Sequence, residues 1–158
     1  ICFHFRFISH TEPWRFVVFT GASLAKFAKF QADLYKVSCA PDLYKELKYN
    51  KLITSPLLAS HIVALVVNKS KNTRIPLVEE IAATSCGIQN ILLSASSKNI
   101  AVHWTSGGMT YKPEMKTYLG FEEADQVLGF LYLGIAPDEI NKLGRRLSTI
   151  EDKITWRK

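Results

Sequence analysis

Apolar and polar positions alternate along this chain in two distinct rhythms, and the change between them marks out its elements. His61 to Val67 is almost continuously apolar and β-branched, the pattern of a strand covered on both faces. Val127 to Leu133 is a second such run and stops at Gly134. Trp14 to Phe19 reads as a strand of aromatic and β-branched residues, ended by Gly21. Ile100 to Trp104 is a shorter strand, broken by Gly107-Gly108. At the start, Ile1, Phe3, Phe5 and Phe7 alternate with Cys2, His4 and Arg6, a period of two that suggests one more strand.

Helical spacing fills the intervals. Ser23 can cap a helix to about Lys36, with Leu24, Phe27, Phe30, Leu34 and Tyr35 on one face and Lys26, Lys29 and Asp33 on the other. Pro41 and Asp42 begin a short, more charged helix to about Asn50, read as a surface excursion. Pro76, with Glu79 and Glu80 in the first turn, opens a long helix to Lys98. Its small residues permit close packing, and Asn99 suits its left-handed end. Lys112 to Leu119 is a brief helix ended by Gly120. Strands interleaved with helices predict an α+β fold, a mixed but mainly antiparallel sheet flanked by helices, within one domain spanning 1–158.

Composition narrows the function classes. Ile81 to Ser97 carries no charge, yet Thr84, Ser85, Gln89, Asn90 and Ser94 make it too polar for a membrane span. It reads as a helix buried in protein, with Cys86 packed inside it. The net charge is +6, but the basic residues are scattered, and Arg145-Arg146 and Arg157-Lys158 are the only adjacent pairs. That balance favours an anionic ligand without marking a nucleic-acid binder. Cys2, Cys39 and Cys86 form no CxxC, the usage of a reducing, cytoplasmic compartment. The four histidines show no metal-ligand spacing, so no metal is expected. His61 and His103 read as structural histidines, and Arg15 as meeting solvent. The tail from Pro137 has little apolar content except Ile150, Ile154 and Trp156, which need a surface to lie on; a partner subunit is one candidate.

No Ser-His-Asp set or carboxylate pair stands out among the residues. Trp104-Thr105-Ser106-Gly107-Gly108 is the segment of interest. On residue types alone it reads first as a strand ending in a glycine turn beside a packed Trp, and second as a place where backbone approaches a ligand, since only a residue without Cβ allows such closeness.

Four segments, in order and spacing, resemble the small FMN-dependent nitroreductase family: His10-Thr11-Glu12-Pro13-Trp14-Arg15-Phe16-Val17-Val18, the long helix Glu80 to Lys98 with Gln89-Asn90, His103 to Gly108, and Leu128-Gly129-Phe130-Leu131-Tyr132-Leu133-Gly134. The resemblance runs from about His10 to Trp156. It implies a homodimer with FMN at the interface and hydride transfer from NAD(P)H to a nitroaromatic, quinone or similar acceptor, the flavin supplying the chemistry. It further implies that Ser106, Gly107 and Gly108 approach the flavin edge, with Trp104 and Thr105 flanking it. Arg145 and Arg146 would reach the phosphate, guanidinium matching it with two parallel hydrogen bonds; as residues alone they are equally a solvated pair. His10 would contribute from the partner subunit, or be a plain loop histidine. The family's Arg-rich opening segment has no match, and 1–9 reads as truncated or atypical. That departure motivates a second reading, a non-catalytic flavin-binding or flavin-handling protein on the same fold.

Overall fold

The structure is a computed structural model that describes residues 11–72, 74–135 and 147–157. The strand expected over 1–7 and the residues His10, Arg145 and Arg146 lie outside these. Four strands, β1 (Trp14–Thr20), β2 (His61–Val67), β3 (Ala101–Thr105) and β4 (Gln126–Gly134), form one sheet in the order β1-β2-β4-β3. The helices are α1 (Ala22–Ser38), α2 (Glu46–Thr54), α3 (Leu77–Ser96) and α4 (Pro113–Leu119).

The two continuously apolar runs are the two central strands. Alternate residues of β2 feed two separate cores, as a period of two requires. Ile62, Ala64 and Val66 join Phe27, Leu34, Met115 and Phe130 under α1 and α4. Leu65 faces the other way and meets Ile88 of α3 and Leu131. The sheet therefore sits between α1 with α4 on one side and α3 on the other.

The sheet is antiparallel, as mainly expected, and every ladder among the described strands is of that kind, with no parallel pairing. The reason lies in strand order. The crossover through α3 does make β2 and β3 run in the same direction, because each is antiparallel to β4. However, β4 lies between them, so the two like-directed strands never pair.

Two helix starts differ from the sequence reading. Gly21, at φ 54°, precedes α1, and Ser23 lies within its first turn. The Ser23 hydroxyl instead accepts from the Thr20 N–H at 2.7 Å and donates to the Thr20 carbonyl at 2.8 Å, fastening the end of β1 to the helix. Helix α2 begins at Glu46 rather than Pro41, because Ala40 to Tyr44 is a turn closed by the Leu43 and Tyr44 N–H groups on the Ala40 carbonyl. The Tyr35 hydroxyl accepts the Lys45 N–H at 3.0 Å and so fixes where the helix begins.

Helix α3, expected to be buried in protein, is buried on one face only within this chain. Ala83, Gly87, Ile88 and Ala95 pack inward, whereas Val78 and Leu93 are 69% and 60% exposed. Cys86 falls on the open face and is exposed, not packed as its apolar neighbourhood suggested. Glu80, expected only to oppose the helix dipole, is fully buried and paired with Lys69 Nζ at 3.2 Å. The same loop is clamped again at Asp125, whose Oδ1 accepts from Asn68 Nδ2 at 2.9 Å and the Lys69 N–H at 2.8 Å. At the far end, Asn99 takes φ 56° and Gly120 φ 81°, both left-handed helix terminations. No helix among the described residues is long and apolar enough to cross a membrane.

Candidate functional site

At Thr105 the edge strand β3 runs out of partners, and the chain leaves the sheet. Gly107 at φ 84° and Gly108 at φ 52° turn it sharply into a single 3-10 turn, Gly108–Tyr111, tied by the Thr110 N–H to the Gly107 carbonyl at 3.0 Å. Both dihedrals lie in the region that L side chains avoid. A Cβ added at either glycine would meet nothing within 4 Å. Their surroundings are open space, so the turn presents bare backbone to whatever approaches.

That space is a cavity of about 290 Å³ walled by Thr105, Ser106, Gly107 and Gly108 together with Met109, Phe130 and Tyr132. A second cavity of about 600 Å³ shares Gln31, Lys48, Leu52, Thr105 and Tyr132 with it and extends to Lys51, Ser55 and His103. The combined space is in the size range of small-ligand pockets, roughly 300–1,000 Å³. Among the described residues no Asp or Glu lines either cavity.

Elements remote in sequence build this wall. Strand alternation turns His103 and Thr105 toward the cavity and Trp104 away from it. Helix α2 contributes Lys48, Lys51, Leu52 and Ser55, the i, i+3, i+4, i+7 face of one helix and its continuation. None of the residues of α2 is buried. Its position depends on polar ties to α1. Gln31 Nε2 donates to the Leu52 carbonyl at 2.9 Å, and the Tyr49 hydroxyl donates to Asp33 Oδ1 at 3.1 Å. Lys48 Nζ sits 4.6 Å above the centre of the Tyr35 ring. Hydrogen bonds from Lys29 and Tyr49 hold the Asp33 carboxyl below the usual carboxylate range, which keeps it an acceptor for both. Burial pushes the Tyr132 phenol up, against a smaller opposing effect of its hydrogen bond with Gln31. The cavity floor is therefore a neutral phenol at neutral pH.

The structure thus brings Thr105, Ser106, Gly107 and Gly108 together on one wall. Trp104 is not on that wall. Its indole lies on the opposite face of β3, against Gly129 of β4, where a Cβ would stand 2.5 Å from Trp104 Nε1. His10, Arg145 and Arg146 are outside the described residues. His103, read as a structural histidine, is exposed and lines the larger cavity. Gln31, Lys48, Lys51 and Tyr132 escaped the sequence reading. Only Gln31 left a signal, a polar residue at the helical spacing of the buried positions Leu24, Phe27, Ala28, Leu34 and Tyr35.

A family model described as the nitroreductase family matches residues 8–135. YfhC of Bacillus subtilis (strain 168), which carries an NAD(P)H nitroreductase name, is 30% identical over 146 residues, covering 92% of this chain and 73% of YfhC. YdjA of Escherichia coli (strain K12), similarly named, is 25% identical over 123 residues; the match takes in 78% of this chain and spans 65% of YdjA's length. Among solved structures, the FMN-dependent nitroreductase NfnB from Mycobacterium smegmatis, in complex with NADPH, superposes with a TM-score of 0.71 at 16% identity, covering 98% of this chain and 83% of NfnB.

Proposed function

The chain belongs to the nitroreductase family, and from that premise we propose that it is an FMN-dependent oxidoreductase carrying reducing equivalents from NAD(P)H to a nitroaromatic, quinone or similar acceptor. The observation that carries the reading is the open glycine turn at Gly107 and Gly108, facing a cavity that no Asp or Glu lines among the described residues. FMN, when bound, supplies the hydride and electron chemistry.

The residues present fit the flavin ring. Two adjacent glycines whose missing Cβ atoms leave free space give a planar ring edge room to meet backbone N–H groups. Thr105 and Ser106 stand beside the ring or its ribityl chain, and Tyr132 with Phe130 supplies an apolar floor. In the same proposal Arg145 and Arg146 hold the phosphate and His10 contributes from the partner. Trp104 acts one step removed, through its place against Gly129 of β4 beside the Thr105 carbonyl.

The test is spectroscopic. Purified protein incubated with FMN and separated from excess is expected to retain a yellow flavin spectrum that NADPH or NADH bleaches without air. Retention of FMN with no bleaching by either nucleotide would point to the flavin-handling reading, and failure to retain FMN would rule out both.

A homodimer and a cytoplasmic setting belong to the same proposal. Val78, Ala82, Cys86, Gln89 and Leu93 form an exposed stripe at helical spacing on α3, uncharged throughout. Surfaces of this kind resemble a domain core cut in half. Ile154 and Trp156 of the tail are likewise exposed. Leu93→Glu is expected to convert a dimer to monomer in sedimentation and to lower FMN affinity at least tenfold if the site is shared. A wild-type protein sedimenting as a monomer at micromolar concentration would remove the dimer from the account.

A further inference from the structure

The larger cavity has a charge preference built into one wall, and it is distinct from the glycine turn. Lys48 and Lys51 both line it from α2, and His103 lines it from β3. No carboxylate lines this cavity among the described residues, and the ion pairs in the structure are elsewhere, at Lys29–Asp33 and Lys69–Glu80. Lys48 is engaged with the Tyr35 ring. Lys51 has no hydrogen-bond or ion-pair partner among the described residues. Lys48, Lys51 and His103 are exposed, and two cations converging on one cavity wall without a carboxylate raise the local potential toward an anion.

Resting on the FMN reading above, we propose that this cavity selects an acceptor bearing a carboxylate on its aromatic ring, with Lys51 as the specificity-determining residue and Lys48 as its support. The scale of the cavity favours an acceptor substituent over other anions. Lys51 shares about 600 Å³ with Thr105 and Tyr132. Thr105, which leads into the glycine turn, lines the same cavity, so in this proposal an acceptor seated at the turn enters Lys51's space through a substituent on its own ring. The phosphates of a nicotinamide dinucleotide or of FMN stand several bonds farther from their reacting rings. Charge at this position therefore discriminates between acceptors and leaves the reduction of flavin by NADPH untouched.

Two near-isosteric probes separate charge from shape: 4-nitrobenzoate and 4-nitrobenzamide. With FMN-loaded enzyme and NADPH, the KM for the benzoate is expected to be lower than that for the amide. Lys51→Gln is expected to raise the benzoate KM about tenfold, the worth of one charge-assisted hydrogen bond, and the amide KM by less than about twofold. Lys51→Arg should retain most of the preference. A second readout needs no turnover: binding of benzoate itself, followed calorimetrically, should weaken by the same factor in Lys51→Gln.

Equal KM values for the two probes in the wild type would overturn the proposal. So would a parallel loss for both probes in Lys51→Gln, or a fall in FMN affinity in that variant, which would assign the lysine to the cofactor instead. A rise in the NADPH KM would assign it to the donor's phosphates and overturn it equally. Protein that never binds FMN would defeat the functional reading, whereas the benzoate calorimetry would still decide whether Lys51 holds a carboxylate.

Discussion

Gly129→Ala is expected to destabilise the fold by roughly 2–6 kcal/mol, combining backbone strain with overpacking. Gly129 takes φ 145°, and its ideal Cβ would lie 2.4 Å from the Thr105 carbonyl oxygen and 2.5 Å from Trp104 Nε1. Neither neighbour is the free end of a flexible chain. One is backbone, and the other is the near part of a rigid indole on the edge strand. The residue sits where β4 gains one position on β2, since Leu65 pairs with Gly129 but Val66 with Val127. The bulge delivers the close approach, and glycine alone tolerates it. The damage should spread to the site, because the obstructed carbonyl is that of Thr105, the residue before the turn. Urea denaturation would read the stability, and FMN titration the displaced wall. Gly134→Ala provides the control on the same strand, since a Cβ there meets nothing within 4 Å. A Gly129→Ala protein as stable as that control would refute the account.

The second large effect is expected at the buried pair. Glu80 is fully buried, its Oε2 is 3.2 Å from Lys69 Nζ, and its Oε1 accepts the Ser70 N–H at 3.1 Å. Lys69 also donates to the Ile75 carbonyl at 2.8 Å. Removing the lysine alone (Lys69→Met) leaves a carboxylate without its cation in the interior and should cost about 3–5 kcal/mol. Replacing both partners with apolar groups (Lys69→Met with Glu80→Leu) should recover much of that loss, because the uncompensated charge disappears with the pair. A denaturation double-mutant cycle gives the coupling directly. Additive losses, with no recovery in the double variant, would show that the two residues act separately.

These two sites show why some of the molecule was legible in the sequence and some was not. His61 to Val67 could be bounded to the residue, because its run is short, β-branched and closed by Ser60 and Asn68. Gly120 and Asn99 were readable as helix ends for a local reason, the left-handed conformation each adopts. Gly129 gave no such signal, since its need arises from Trp104 arriving across a strand pair. Lys48 and Lys51 looked like ordinary surface cations on a charged excursion. They become cavity wall only because Tyr35, Asp33 and Gln31 of α1 hold α2 in place. The start of α2 was misplaced for the same reason, a tertiary hydrogen bond overriding the local pull of Pro41. Cys86 marks a further limit: an uncharged helix face looks alike in sequence whether it is packed in a core or left exposed. The glycine turn was legible as a turn, but its open side was not. A positive φ can be inferred from two adjacent glycines, whereas the cavity beside them requires the fold.

The sheet order β1-β2-β4-β3 has a consequence for how the chain comes to be folded. The strand at the centre is the last of the four to be made, so β2 and β3 must wait for Gln126 to Gly134 to slide between them. Until it does, the nascent protein holds an apolar strand with one edge unsatisfied, the condition under which chains associate wrongly. Pairings so distant in sequence also close slowly. Folding should therefore be late and abrupt, with protection of the β2 amides appearing together with those of β4 in a pulsed hydrogen-exchange experiment. The same event assembles the cavity, because Phe130 and Tyr132 arrive on that final strand. Ligand binding could then begin only after the last central strand is seated.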